Sequence, residues 1–222
     1  MTDESTSARD ENLPRKERER LMRRSEILAA AFNVFGEKGF ERATLDEIAE
    51  RAEFGKGTLY NYFSSKEDLF AAAFQRLLDD FRAIADEVCG QDLTVRECLT
   101  EYTMRSVAYY REHYAFCHTA MQEHYRRSVE DGSDTRKDHQ KNVDYTIEPL
   151  ARCLDLGMES GQVRKADPWT YAHIFVGLID HFYLQLTREQ LPDSEKDMRQ
   201  QVDTLITVFC DGIAAKEKDG RH

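Results

Sequence analysis

From Arg15 to the end of the chain, apolar residues recur at the three-and-four spacing of helices that bury one face. That pattern constrains the fold more than any other feature. Four Pro and 11 Gly in 222 residues cannot supply the turn every ten residues or so that an all-β fold needs. With 41% hydrophobic residues the chain can bury an ordinary core, and with 33% charged residues it is expected to be soluble. The longest apolar stretches, Ile27–Phe32 and Ile174–Ile179, fall far short of the roughly 20 residues of a membrane span. No apolar run follows the first charges, so a signal peptide is not expected. The five cysteines (89, 98, 117, 153 and 210) are widely spaced with no C-x-x-C, the usage of reduced cytoplasmic thiols. The reading is therefore an all-α cytoplasmic protein.

Residues 1–14 are polar and aperiodic and read as a disordered tail. A first helix is expected from about Pro14 or Arg18 to Glu37, ended by Gly36 and Gly39. Thr44-Leu-Asp-Glu47 is a capping box opening a second helix, broken at Glu53-Phe54-Gly55. A short third helix is expected over Lys56–Tyr62, with Leu59 and Phe63 facing in. A fourth is expected to begin at Ser64 or Ser65, where Ser64-Ser-Lys-Glu67 reads as a capping box, and to run for about six turns to Val88. Thr94-Val-Arg-Glu97 caps a helix to about His113. A shorter element covers Tyr114–Tyr125, and residues 129–136 read as a loop. A helix from about Arg136 to Glu159 holds Pro149, which should kink or divide it. Asp167-Pro168 starts a helix that is apolar almost all round, and a last helix runs from Ser194 to about Lys216.

Charge is unevenly placed. Net charge is −11 overall, but residues 1–66 hold 12 Lys/Arg against 13 Asp/Glu, so nearly all the acidity lies beyond them. Arg15–Arg24 holds six basic residues and two Glu, and reads equally as a solvated helix end or as an arm touching phosphates. A locally basic end on an acidic body can approach DNA in one orientation, which suits a site-specific binder.

The segment Thr44–Lys66 carries the functional signal: two short helices, a tight turn, and Lys-Gly-Thr at the start of the second. This is the pattern of a helix-turn-helix, whose recognition helix offers its N-terminal residues to base edges in the major groove. Lys56 can donate to guanine O6 and N7, Gly57 leaves room for close backbone approach, and Thr58 can reach a phosphate or a thymine methyl. Tyr60, Asn61 and Tyr62 lie opposite Leu59 and Phe63. Asn61 is able to read adenine, while the tyrosines and Lys66 suit phosphates. Thr44 opens a helix whose N-terminus can hold another phosphate. An ordinary helical hairpin fits the same pattern of apolar residues.

At GTLYNYFSSKEDLF, preceded by TLDEIAERA and FGEKGF, the chain resembles the DNA-binding domain of the TetR family of bacterial transcriptional regulators, over about residues 20–75. The resemblance implies a helix-turn-helix domain over 15–65 and a helical ligand-binding and dimerisation domain over 66–222. It implies a homodimer on a palindromic DNA operator, a repressor released by a small-molecule effector. An activator or a corepressor-dependent regulator of the same family is the alternative. Thr44, Lys56, Gly57, Thr58, Tyr60, Asn61, Tyr62 and Lys66 match the family's DNA contacts. The helices holding Trp169, Phe175, Leu178, Phe182, Leu205 and Phe209 match its dimer interface. Two positions depart from the usual pattern. Glu53 stands where a glycine is common and is expected to take a left-handed conformation, costing roughly 1 kcal/mol. Gly55 lacks the hydroxyl that usually caps the recognition helix.

Beyond the motif, Tyr102, Arg105, Tyr109, His113, His118, Tyr145 and Phe175 are the candidates for an effector site, with packing and a surface ion pair at Arg105 as the plainer account. His113 and Cys117, four apart, lack a clear third ligand, so no metal site and no cofactor is expected. Asp180-His181 interrupts the most apolar helix and must find partners in a dimer or a ligand. No Gly-rich phosphate loop, H-E-x-x-H or G-x-S-x-G occurs, so no enzymatic activity is expected.

Overall fold

The computed structural model describes residues 14–130, 133–187 and 194–213. Nine helices and no strand occur among them: α1 Arg15–Arg42, α2 Leu45–Arg51, α3 Lys56–Tyr60, α4 Lys66–Cys89, α5 Val95–Glu112, α6 Tyr114–Glu130, α7 Ser133–Glu159, α8 Pro168–Thr187 and α9 Glu195–Ile213. The expected tail lies, save Pro14, outside the described residues.

The chain forms two compact units. The first comprises the residues up to 75 together with 115–120, and the second comprises 76–114 and the residues from 121 on. The division falls ten residues beyond the boundary expected at 65/66, because the first turns of α4 belong to the helix-turn-helix core.

In the first unit, Ile27, Ala31, Val34 and Phe35 of α1 bury the stripe that their spacing lays out. Phe35 meets Phe70 edge-on with ring centroids 5.0 Å apart, and Phe32 stacks on Phe116 at 4.1 Å. Phe116 therefore closes the core of a domain that ends in sequence forty residues earlier. Each such buried ring stabilises the fold by about 1.5–3 kcal/mol. Gly39, at φ 76° and ψ 167°, breaks α1 near its end, a backbone state that glycine takes without penalty.

Helix starts follow the local chemistry. Thr44 and Thr94 each accept from the backbone N–H three residues on, and Glu47 and Glu97 reach back to the cap N–H. Asp167 caps α8 by accepting from the Thr170 N–H at 2.8 Å, with Pro168 first in the helix. Ser194 caps α9 through the Asp197 N–H. At α4 the cap is Ser65, the later of the two expected starts. Ser65 Oγ accepts from the Asp68 N–H at 3.1 Å, and the Asp68 carboxylate accepts from the N–H of Ser64 at 2.8 Å.

The expected loop over 129–136 is shorter than its polarity indicated: α6 continues to Glu130 and α7 begins at Ser133. Pro149 does not divide α7. Proline cannot donate to the carbonyl four residues back, that of Tyr145. Arg82 Nη1 donates to this oxygen instead, at 2.6 Å. The same guanidinium holds Glu148 at 2.7 Å, and Arg152 holds Asp86 at 2.9 Å. A polar seam thus ties α4 to α7 beside the apolar core of the second unit. That core draws on α4, α5, α7, α8 and α9, with Leu99, Leu150, Leu154, Phe175 and Val202 fully buried.

Candidate nucleic-acid interface

The recognition helix α3 is short and anchored by its apolar side. Leu59 and Phe63 are buried, and the Phe63 N–H donates to the Leu59 carbonyl at 3.0 Å. The turn before it has the geometry expected at the two unusual positions. Glu53 takes φ 59°, and Gly55 stands at the N-cap with no side-chain cap. The Thr58 N–H donates to the Gly55 carbonyl at 2.8 Å, so backbone alone starts the helix.

Fixing Leu59 and Phe63 inward turns the rest of the segment outward. Lys56, Gly57, Tyr60 and Asn61 are exposed, and Thr58 and Tyr62 are half-buried. A Cβ at Gly57 would meet nothing within 4 Å, so the helix presents bare backbone to the outside. Lys56 is not a free cation: its ammonium lies 2.6 Å from Asp46 on α2, which raises its pKa. A base or phosphate must share or displace that carboxylate. Lys66 is also held, donating to the Glu41 carbonyl at 3.0 Å with its ammonium 4.6 Å over the Phe40 ring. Thr44 is exposed at the first turn of α2, with its hydroxyl already accepting from the Glu47 N–H. These side chains sit in one unit on consecutive helices. Asp46 is the residue that sequence reasoning missed, and its place ten positions before Lys56 gave no signal.

The candidates outside this unit divide into separate contacts. Tyr102 and Phe175 are buried in the core, with rings 6.4 Å apart. Burial lifts the Tyr102 phenol above its usual range. Tyr109 donates to Asp80 at 2.7 Å and packs on the His113 ring at 4.5 Å. Arg105 is held by Glu101 at 2.6 Å and Glu87 at 2.7 Å, the ion pair of the plainer account. Tyr145 donates to Asp79 at 2.9 Å under Arg82. His118 belongs to the first unit and the other six to the second.

Of the interface candidates, Phe175, Phe182 and Phe209 lie inside the core of their own chain and face no surface. An apolar helix offers several rings for burial, and its own domain takes these three. Trp169, Leu178 and Leu205 remain partly exposed. Among the described residues Ile174 and Val208, 50% and 68% exposed, are the most exposed large apolar side chains of α8 and α9. Asp180 reaches the surface, yet loss of hydration pushes its carboxyl up to about 6. The side chain of His181 lies outside the described residues.

Comparison with known proteins agrees with this geometry. The family model for bacterial regulatory proteins of the tetR family matches residues 27–73. The uncharacterized HTH-type transcriptional regulator YfiR of Bacillus subtilis is 28% identical over 159 residues, 71% of this chain and 77% of its own. The HTH-type transcriptional activator FasR of Mycolicibacterium smegmatis is 44% identical over 72 residues, 32% of this chain and 31% of its own. Among solved structures, the transcriptional regulator FadR of Bacillus subtilis, in complex with stearoyl-CoA, superposes with a TM-score of 0.71. That match is at 21% identity and covers 85% of this chain and 98% of that one. Residues 27–73 thus carry the DNA-binding domain of the tetR family of bacterial regulatory proteins, and the fold is shared with a solved transcriptional regulator over 85% of the chain.

Proposed function

We propose that this regulator is a homodimeric, ligand-responsive repressor that reads a palindromic operator with α3 and is released by a small molecule held in the second unit. The observation that carries the DNA-reading part is the exposed face of α3. Lys56, Gly57, Tyr60 and Asn61 point outward from an apolar anchor, which is what a major-groove reader requires. Dimerisation is supported by Ile174 and Val208, large apolar side chains left in water on two long helices. Gly177 and Gly212, whose Cβ positions would meet nothing within 4 Å, lie one turn from them and permit a second chain to come close.

For release, the connecting element is α4, which begins in the first unit and ends in the second. Two recognition helices must sit about one turn of DNA apart, about 34–36 Å. A ligand that binds better to the conformation with the wrong separation lowers operator affinity by that difference in its own affinities. Stearoyl-CoA, bound by the FadR of like fold, makes long-chain acyl thioesters the first compounds to try.

The test is a fluorescence-anisotropy titration against DNA flanking the gene, from about 50 to 200 mM salt, a range over which several phosphate contacts weaken binding by about 10³–10⁵. Tight, salt-sensitive binding to one fragment, lost in Lys56→Ala/Tyr62→Ala and weakened by an acyl thioester, is the expected result. Binding no tighter than to random DNA sinks the operator reading. Binding that tightens with the thioester indicates a corepressor instead.

A further inference from the structure

Three of the five cysteines, distant in sequence, meet in the second unit. Cys89 is the last residue of α4, Cys98 lies in the first turn of α5, and Cys153 lies on α7. Their sulfurs all lie within 4.8 Å of one another, with Cys89 and Cys98 at 3.4 Å. Cys98 is buried, while Cys89 and Cys153 are half-buried and reachable from solvent. Among the described residues no imidazole or carboxylate joins them, so the donor set is three sulfurs.

A thiolate bond to a first-row metal is about 2.3 Å long, which puts the sulfurs of a planar three-coordinate site about 4.0 Å apart. One observed separation, 3.4 Å, is shorter than that and none exceeds 4.8 Å, so shifts of under about 1 Å reach it. All-sulfur sites select soft cations, and the lack of a fourth protein donor disfavours zinc, which takes four ligands. A cluster of thiols packed only to fill space needs none of this convergence: Cys117 and Cys210 are buried singly elsewhere.

We propose that Cys89, Cys98 and Cys153 form a binding site for a soft, three-coordinate cation of the monovalent-copper class. Binding makes three sulfur–metal bonds and releases a proton from each thiol that binds, with no change of oxidation state. The site joins the C-terminal end of α4 to α5 and α7, so a bound cation cross-links three helices of the second unit. It stands on the sulfur geometry alone and does not depend on the chain reading DNA.

The test uses the full-length reduced protein under anaerobic conditions. Copper(I), supplied as its acetonitrile complex, is titrated in competition with bicinchoninate, and free thiols are counted after denaturation. One copper per chain is expected, with all five thiols recovered once the protein is denatured and the copper chelated. Cys89→Ser and Cys153→Ser should each weaken binding by more than the 10–100-fold or so that loss of an outer-shell partner costs. Cys117→Ser and Cys210→Ser should leave it unchanged. The half-buried positions carry the test if Cys98→Ser melts early, and a thermal melt confirms that the other variants are folded. Substoichiometric uptake, or uptake indifferent to Cys89→Ser and Cys153→Ser, overturns the site. Zinc(II) that displaces the copper overturns the three-coordinate assignment.

Discussion

Individual residues show where stability and function part. Gly57 lies in a helix, where glycine costs roughly 0.5–1 kcal/mol relative to alanine, and nothing in the protein occupies its Cβ position. Gly57→Ala is therefore expected to hold or raise the melting temperature while weakening operator binding by about tenfold or more. Unchanged DNA affinity would remove Gly57 from the interface. Gly157 is the opposite case. A Cβ there collides with Val95 and comes within 3.1 Å of Val163, both buried. Gly157→Ala should cost about 1–3 kcal/mol in urea unfolding, the usual penalty of overpacking. Neither glycine's environment can be read from its neighbours in sequence. Glu53 was legible, because a tight turn before a recognition helix demands a left-handed residue whatever the side chain. The pairing of Lys56 with Asp46 was not, because it depends on how α2 and α3 are placed.

At the scale of the helix, local chemistry was legible to within a residue. The boxes at Thr44 and Thr94 formed as their spacing dictates, because donor, acceptor and side chain all lie within four residues. At α4 two acidic residues in succession, Glu67 and Asp68, offered two frames, and Ser65 with Asp68 prevailed. Thr94→Ala should cost about 1 kcal/mol, the usual loss of an N-cap, measured by thermal or urea melts.

These caps also set an acid limit. The Thr94 hydroxyl and backbone N–H hold the Glu97 carboxyl below its ordinary 4.5, and Lys38, then Thr44, do the same for Glu47. The unfolded chain thus binds more protons just below pH 4.5, and their stabilisation is complete above that pH and lost as the pH falls through the folded values. A melting curve taken from pH 6 to 3.5 should fall in that lower range, and less steeply in Glu97→Gln. Pro149 shows the limit of local reasoning, since Arg82, 67 positions earlier, accepts the role of the missing donor to Tyr145.

For the whole molecule, the decisive surface is the one left uncovered. Ile174 and Val208 stand in water on α8 and α9, whereas the phenylalanines of the same helices are buried in their own core. Ile174→Glu/Val208→Glu should leave the helix content of the chain intact and convert the proposed dimer to a monomer by light scattering. It should weaken operator binding with it, since two half-sites are then no longer read together. A dimer that persists would place the interface elsewhere.

Periodicity, caps and the Lys-Gly-Thr start of α3 determined the helices, the all-α class and the DNA-reading motif. Each depends on residues within about one turn of one another, and the chain itself supplies that proximity. Tertiary structure alone decided which apolar faces were already covered, which cations were already paired, and that Cys89, Cys98 and Cys153 share one small space. Cys89 and Cys153 stand 64 positions apart, and the stacked rings of Phe32 and Phe116 stand 84 apart. Such contacts come from how helices pack, and packing is a property of volumes and surfaces that no spacing along the sequence records.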